Sequence, residues 1–400
     1  MDLLEPVIQP YAWGSHTAIA ELQGRQAPTK LPEAELWMGA HPSAPSWVER
    51  PAGRTTLDLV IAADPAGELG EQCAARFGGR LPFLLKVLGV DKALSIQVHP
   101  SRKQAQEGYR AENERGLAPG DKSRNYVDDW PKPEILCALT TFEVLAGMRT
   151  TADAAALLRA LGVAGLGPLA AEIAAAGDPA VLSRALAAIL SWPADGRAAL
   201  VESVVAACAR LADGAGPYAG TCAATVRIAA SHPGDLGIVA SLLLRYQVLR
   251  PDEAVFLPAG GLHAYLRGTG IELLANSDNV VRAGLTPKHI DIPELLKLTD
   301  PAIAVPVVEP RPVGDGVFRY DSPAPEFRLY RAELGGGEVA LPWDGGARIV
   351  LSTEGTAELR TAARTLKVAR GESGYISADD GPVSAAGPAT LFIATDGLAG

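Results

Sequence analysis

The most informative stretch of the sequence is residues 252–263, Asp-Glu-Ala-Val-Phe-Leu-Pro-Ala-Gly-Gly-Leu-His. Its apolar residues 254–257 predict a short buried strand, and the Pro-Ala-Gly sequence after them predicts a tight turn. The chain leaves the turn at His263, which places an imidazole at the end of a strand. Such a histidine either packs against its neighbours or binds a metal ion. Two further motifs favour the second interpretation.

The first of these motifs is residues 94–99, in which apolar and polar side chains alternate. In a strand, Leu94, Ile96 and Val98 would face one way. The opposite face would carry Ser95, Gln97 and His99. A polar face of this kind is either solvated on a surface strand or, inside a barrel, able to bring Gln97 and His99 to one ion.

The second motif is Trp130-Pro131-Lys132-Pro133-Glu134, which leads directly into the apolar residues 135–137. Lys132 and Glu134 share one face of the predicted strand. A glutamate that opens an apolar strand needs a partner to offset its desolvation. That partner is either a divalent cation or, as the simpler alternative, the ammonium group of Lys132.

The chain divides into regions of different composition. Residues 1–148 and 246–310 contain short β-rich runs separated by Gly and Pro, and we expect them to form one catalytic barrel. Residues 149–245 are Ala-rich with apolar residues at helical spacing, so we expect an inserted helical domain in which function is unexpected. Residues 311–400 predict a C-terminal β domain. The predicted fold class is therefore mainly β, with jelly-roll barrels and a helical insertion.

Composition and charge narrow the function. A length of 400 residues exceeds one usual domain, and no apolar run approaches the roughly 20 residues of a membrane helix. The net charge of −10 argues against nucleic-acid binding, which needs clustered Lys and Arg. The N-terminus shows no signal-peptide pattern, so we expect a cytoplasmic protein and, in addition, a monomer. We expect neither disulfides nor a thiolate metal site from the unpaired spacing of Cys73, Cys137, Cys208 and Cys222.

Together these stretches resemble the type I mannose-6-phosphate isomerases of the cupin superfamily. The strand, turn and His263 are similar to the second cupin motif, and the resemblance is carried further by residues 11–14, 35–42, 81–100, 132–134 and 263–291. Residues 277–288, Ser-Asp-Asn-Val-Val-Arg-Ala-Gly-Leu-Thr-Pro-Lys, are its most specific part. The resemblance implies a cupin jelly roll with a helical insertion and one Zn²⁺ ion held by Gln97, His99, Glu134 and His263. Such a ligand set also suits manganese, iron or cobalt.

The reaction that the resemblance implies interconverts mannose 6-phosphate and fructose 6-phosphate through an enediol. Its developing oxygen charge needs a cation, and Arg282 is our candidate because its guanidinium stays protonated. The resemblance also implies that Lys288 and Ser95 hold the phosphate, with Arg282 either shared with the phosphate or reserved for the enediolate. Glu272 is the first candidate for the proton-transferring base and Lys132 the second, an order that the sequence does not decide.

Some features remain open at this stage. Trp13 and His41 either line the substrate pocket or pack structurally. Trp130-Pro131 departs from the family, which usually has Asn-His before Lys-Pro-Glu. Residues 371–376 look like a cupin turn without its histidine, so the C-terminal domain is expected to be a degenerate, structural cupin. The alternative functions are another cupin metalloenzyme, either a dioxygenase or a different sugar-phosphate isomerase, and a non-catalytic cupin that binds sugar or metal.

Overall fold

The computed structural model describes residues 1–398 and confirms a mainly β fold built from antiparallel sheets. The strands, numbered along the chain, are β1 (Asp2–Leu4), β2 (Val7–Gln9), β3 (Glu35–Gly39), β4 (Trp47–Arg50), β5 (Gly53–Thr56), β6 (Phe83–Val90), β7 (Ile96–Val98), β8 (Glu134–Ala138), β9 (Phe142–Met148), β10 (Leu244–Leu249), β11 (Ala254–Leu257), β12 (His263–Ala275), β13 (Val281–Gly284), β14 (Val307–Val308), β15 (Arg311–Gly314), β16 (Val317–Tyr320), β17 (Arg328–Ala340), β18 (Arg348–Arg360), β19 (Thr365–Ala369), β20 (Ser373–Ile376) and β21 (Ser384–Thr395).

Most of the helical structure lies between β9 and β10. The α-helices are α1 (Ala18–Leu22), α2 (Leu57–Ala63), α3 (Pro65–Leu69), α4 (Glu71–Phe77), α5 (Arg102–Glu114), α6 (Thr151–Leu161), α7 (Gly167–Ala175), α8 (Ala180–Leu190), α9 (Arg197–Ala212), α10 (Ala219–Ser231), α11 (Gly237–Ala240) and α12 (Ile292–Leu298). Short 3₁₀ helices occupy Ala164–Leu166, Ala194–Gly196, Ser241–Leu243 and Ala378–Asp380. No helix among residues 1–398 is long and apolar enough to cross a membrane.

The helical segment α6–α11 leaves and re-enters the β structure at one point, because Met148 at the end of β9 pairs with Leu244 at the start of β10. Its apolar residues face a common core, as the helical spacing predicted. That core also takes Ile96 and Val98 from β7. The helices therefore cover the outer side of the strand whose other side was predicted to be polar. Leu94 does not share this face: it precedes the strand and packs beside Trp13 in another cluster.

Two sheets share the long strand β12 and form the sandwich that holds the site. The front sheet has the order β14-β11-β8-β12-β6-β3-β2, and the back sheet has the order β10-β9-β12-β7-β13. Between the two sheets lies an apolar cluster to which both contribute. The outer side of the front sheet, including Ile271 and Leu273, packs against the C-terminal sheet.

The C-terminal sheet has the order β1-β20-β18-β21-β17-β16-β15, and β19 pairs with β18. It contains β1, which pairs with β20, so the beginning of the chain contributes a strand to the sheet of the C-terminal region. The sequence did not indicate this exchange. The boundaries of the domains stay a prediction.

A bulge in β12 allows the strand to serve both sheets. Tyr265 pairs with Val144 and Arg267 with Glu143, so one extra residue of β12 lies between these pairs. Gly268 follows with a φ of +135° and pairs with Val90 of the front sheet. One extra residue exchanges the two faces of a strand, because side chains alternate with a period of two. His263 and Glu272 are nine positions apart, and the bulge allows both to face the space between the sheets.

Replacing Gly268 by alanine should lower the free energy of unfolding by about 3 kcal/mol. The new methyl group would lie 2.7 Å from Cδ2 of Phe142 and 2.8 Å from the carbonyl oxygen of Thr141. Gly53→Ala is the matched control, since Gly53 has a φ of +114° but no neighbouring atom within 4 Å of a new Cβ. Urea denaturation measures both variants. Equal losses would show that the close approach in β12 does not matter.

Candidate metal centre and active site

Three buried side chains converge at one end of the space between the sheets: His99, Glu134 and His263. His99 follows β7, Glu134 opens β8 and His263 opens β12. The Nε2 atoms of His99 and His263 lie 3.2 and 3.4 Å from the carboxylate oxygens of Glu134. The ligand atoms of all three lie within 4.8 Å of one another. The front sheet thus supplies the carboxylate and the back sheet the two imidazoles.

Backbone carbonyl groups orient both imidazoles. The Nδ1 atom of His99 lies 2.7 Å from the carbonyl oxygen of Asn279, and that of His263 lies 3.0 Å from the carbonyl oxygen of Gly261. These contacts assign the ring protons to Nδ1, because a carbonyl oxygen can only accept. Both Nε2 atoms are buried, and neither has a hydrogen-bond partner among the residues that the structure describes. Each therefore presents a lone pair to the centre, which is the arrangement of a histidine ligand to a divalent metal.

Electrostatics favour the same protonation states. Burial, reinforced by the nearby charge of Lys132, lowers the pKa of His99 to about 4, so this ring is neutral at pH 7. Burial works against a charge on Glu134, but Lys132, whose Nζ lies 3.1 Å from Oε1, holds the pKa of that carboxyl well below its usual value. A neutral imidazole and an ionised carboxylate are the forms that bind metal. The ion pair between Lys132 and Glu134 therefore does not exclude metal binding by Glu134.

Gln97 lies next to this cluster. It pairs with His263 on one side and with Arg282 on the other, so the three side chains project from the same face of the back sheet. Gln97 is half-buried, unlike the fully buried His99 and His263. The four side chains predicted to hold a metal therefore lie at one end of the sandwich, although the assignment of Gln97 as a ligand stays a prediction.

A second buried charge cluster lies beside the first, on the inner face of the front sheet. Lys86 of β6 pairs with Glu272 of β12, and its Nζ lies 3.3 Å from that carboxylate and 3.1 Å from Glu35 of β3. Burial opposes a charge on Lys86, but Glu35 and Glu272 raise its pKa above the usual value. Burial raises the pKa of Glu272 to about 7 in spite of Lys86. Glu272 is thus able to exchange a proton near neutral pH.

The hydroxyl group of Tyr265 adds a link at the boundary between the polar and apolar parts of the interior. It donates a 3.1 Å hydrogen bond to Glu134. Along β8 the next residues on the face of Glu134 are Leu136 and Ala138, which belong to the apolar cluster. The inner space is therefore polar at the end that holds the histidines and closed by hydrocarbon at the other.

The other predicted site residues lie around this end with different surroundings. Among residues 1–398, neither Arg282 nor Lys288 has a carboxylate partner; burial lowers the pKa of both, and Arg282 lowers that of Lys288 further. Two neighbouring cations without a counter-charge are able to hold an anion.

His41 is buried, with Nε2 3.4 Å from Asp278, and its ring meets the edge of Trp37. Two predicted site residues, Trp13 and Ser95, are half-buried.

Comparison with known proteins identifies the family. Residues 1–151 match the model of the phosphomannose isomerase type I catalytic domain. Mannose-6-phosphate isomerase of Escherichia coli is 38% identical over 395 residues, with 98% of each chain covered. The chain belongs to the type I phosphomannose isomerase family. Its counterpart from Salmonella typhimurium is 37% identical, again with 98% of each chain covered.

Solved structures of the type I phosphomannose isomerase family have the same fold over the whole chain. A zinc-bound mannose 6-phosphate isomerase superposes with a TM-score of 0.89 at 36% identity and covers 99% of both chains. A second mannose 6-phosphate isomerase, bound with zinc and yttrium, gives a TM-score of 0.89 at 36% identity over 100% of both chains. The resemblance found in the sequence motifs is thereby confirmed.

Sequence reasoning missed Lys86 and Glu35, although the sequence carried a signal for both. Lys86 is the single charged residue in the otherwise apolar strand Phe83–Val90, and Glu35 opens the buried strand Glu35–Gly39. A lone charge in a fully buried strand needs a buried partner. The departure at Trp130-Pro131 has a structural explanation: Trp130 is buried against Phe77, and its carbonyl oxygen accepts from the side chain of Asn279.

The metal-free protein should lose stability through Glu272 as the pH rises from about 4.5 to about 7. The carboxyl ionises near 4.5 in the unfolded chain but near 7 in the folded protein, so the folded state binds the proton more tightly between these values and rising pH favours unfolding. Urea denaturation in chelator, at several pH values, measures the difference between the native chain and Glu272→Gln. The free energy of unfolding of the native chain should fall relative to that of Glu272→Gln as the pH rises from about 4.5 to about 7. A difference independent of pH would contradict the raised pKa.

Proposed function

We propose that this chain interconverts mannose 6-phosphate and fructose 6-phosphate, with one zinc ion held by Gln97, His99, Glu134 and His263. One observation carries the proposal: two buried imidazoles direct unpartnered Nε2 atoms at one carboxylate, next to a buried pair of Lys86 and a glutamate with a raised pKa. The activity named for the relatives in Escherichia coli and Salmonella typhimurium supports it. Zinc is favoured over other metals by the zinc-bound structures.

The donor set fits a catalytic rather than a closed structural metal site. Two imidazole nitrogens, a carboxylate and an amide oxygen suit zinc, and the cluster found among residues 1–398 includes no thiolate. Bound zinc would supply a Lewis acid that polarises the oxygens of the sugar. The carbonyl groups of Asn279 and Gly261 fix the orientation of the histidine ligands. The apolar cluster between the two sheets limits the access of water to the site.

Proton transfer between C1 and C2 of the sugar is assigned to the cluster around Glu272. A base must be ionised to accept the proton from carbon and must then return it, which a group titrating near neutral pH does readily. Glu272 has such a pKa, and Lys86 holds its carboxylate at 3.3 Å. Lys132 remains the second candidate, but its ammonium group is paired with Glu134. Glu272 is therefore the base in our proposal.

The substrate's phosphate and the enediolate need cations. Arg282 lies on the same face as the metal ligands and has no acidic partner in the described part of the chain, which supports a role in stabilising negative charge on the reacting oxygens. Lys288 and Ser95 hold the phosphate, and Arg282 is shared between the phosphate and the reacting oxygens. The aromatic groups of Trp13 and His41 line the sugar pocket. We further propose a cytoplasmic, monomeric enzyme with no partner other than the sugar phosphate.

A coupled assay on mannose 6-phosphate tests the activity directly. The purified protein loaded with zinc should form fructose 6-phosphate, and extended dialysis against a chelator should abolish turnover until zinc is returned. Glucose 6-phosphate, which differs at C2, serves as the control substrate. Full activity in the chelated protein would exclude a role for the metal, and absence of product from the zinc-loaded protein would exclude the proposed reaction.

The roles of Glu134 and Arg282 should separate in variants. Glu134→Ala should lose its zinc on dialysis, because a carboxylate ligand and a buried negative charge that faces both imidazoles are removed. Arg282→Ala should keep its zinc and lower kcat by about 100-fold, as expected for loss of one stabiliser of a developing oxyanion. Elemental analysis and steady-state kinetics measure the two effects. Equal loss of zinc in both variants would mean that the roles are misassigned.

A further inference from the structure

A carboxylate from the helical segment fastens the turn that follows β13. Asp235 lies between α10 and α11, in a segment from which no function was expected. Its Oδ1 accepts hydrogen bonds from the backbone N–H of Gly237, at 2.6 Å, and of Leu285, at 3.0 Å. Its Oδ2 accepts from the N–H of Thr286, at 3.1 Å. The two segments are thus joined although they are 50 residues apart in sequence.

The turn adopts a conformation that it would not keep by itself. Leu285 has a φ of +56°, in the left-handed region that a side chain with a Cβ rarely occupies. The backbones of Gly237 and Gly284 touch: a Cβ on Gly284 would lie 2.5 Å from Cα of Gly237, and a Cβ on Gly237 would lie 2.5 Å from the nitrogen of Leu285. The two hydrogen bonds of Asp235 to this turn, and the contact of the glycines, hold Leu285 in place.

The turn separates two cations that have no acidic partner within residues 1–398. Arg282 precedes it in β13, and Lys288 follows it, with its N–H bonded to Oγ1 of Thr286 at 3.1 Å. The carboxylate of Asp235 is directed at backbone N–H groups and does not neutralise either cation. A contact of this kind fixes the separation of the two cations and leaves their charge available to an anion.

We propose that Asp235 is a positioning residue for the phosphate group of the substrate, acting through the turn 284–286, which fixes Lys288 relative to Arg282. The proposal rests on the function proposed above, since that function supplies the phosphate. It gives the helical segment a part in substrate binding. A phosphate held at two points loses affinity when the distance between those points is no longer fixed, whereas the metal ligands on β7, β8 and β12 are untouched by Asp235.

The test compares Asp235→Ala, Asp235→Asn and Asp195→Ala as zinc-loaded, full-length proteins. In Asp235→Ala the KM for mannose 6-phosphate and the Kd for inorganic phosphate should both rise by about tenfold or more, because Lys288 is no longer held at a fixed distance from Arg282. The kcat should change by less than about threefold and zinc content should stay unchanged, because Arg282 remains paired with Gln97 in the sheet. Asp235→Asn should show a smaller rise, because its Oδ1 still accepts from Leu285 while its amide cannot accept from Thr286. Asp195, an exposed carboxylate of the same helical segment, is the matched control for lost charge and should show no change.

Other outcomes would overturn the proposal. A folded Asp235→Ala variant with KM and phosphate Kd within about twofold of the native values would show that Asp235 only packs the helices. Lower kcat and zinc content at constant KM would show that Asp235 acts on the metal site and not on phosphate binding. If Asp235→Ala does not fold, Asp235→Asn decides in the same way. Because phosphate binding is measured apart from turnover, an inactive native protein whose phosphate Kd still depends on Asp235 would refute the isomerase function and leave the positioning role intact.

Discussion

The site depends on two backbone carbonyl groups that accept from Nδ1 of His99 and of His263. An imidazole has two nitrogens, so the use of one by the backbone commits the lone pair of the other to the centre. Asn279, whose carbonyl holds His99, is itself fixed by side-chain bonds to residues 127–130. The orientation of the ligands is therefore a property of the folded backbone and does not have to be imposed by the ion.

The second constraint is that β12 belongs to both sheets. Its first half aligns His263 with Gln97, and its second half aligns Glu272 with Lys86. The bulge before Gly268 exchanges the two faces of the strand between these halves, which brings metal ligands and proton-transferring groups into one interior. Apolar side chains fill the rest of that interior, and burial there raises the pKa of Glu272. At Lys86 and Glu134 the opposite charges beside them outweigh burial, so that Lys86 stays protonated and Glu134 ionised.

Several parts of the site could be predicted because local patterns report them. The alternation in residues 94–99 correctly placed Ile96 and Val98 opposite His99, and the turn before His263 correctly placed that ring at a strand end. Leu94 was placed wrongly, because the strand begins only at Ile96. Lys86 was not predicted as a site residue, because the apolar strand around it was interpreted only as part of the core. The exchange of β1 into the C-terminal sheet has no local signal, as three residues pair with a strand more than 360 positions away.

The sequence by itself determined the fold class, the family and the side chains that could bind a metal, because periodicity and motif spacing depend only on nearby residues. Three properties came from the tertiary structure alone. They are the nitrogen of each histidine that faces the metal site, the pKa of Glu272 near 7, and the contact of Asp235 with the turn beside Arg282. These properties depend on burial and on distances between residues far apart in the chain. Such quantities exist only once the sheets have packed.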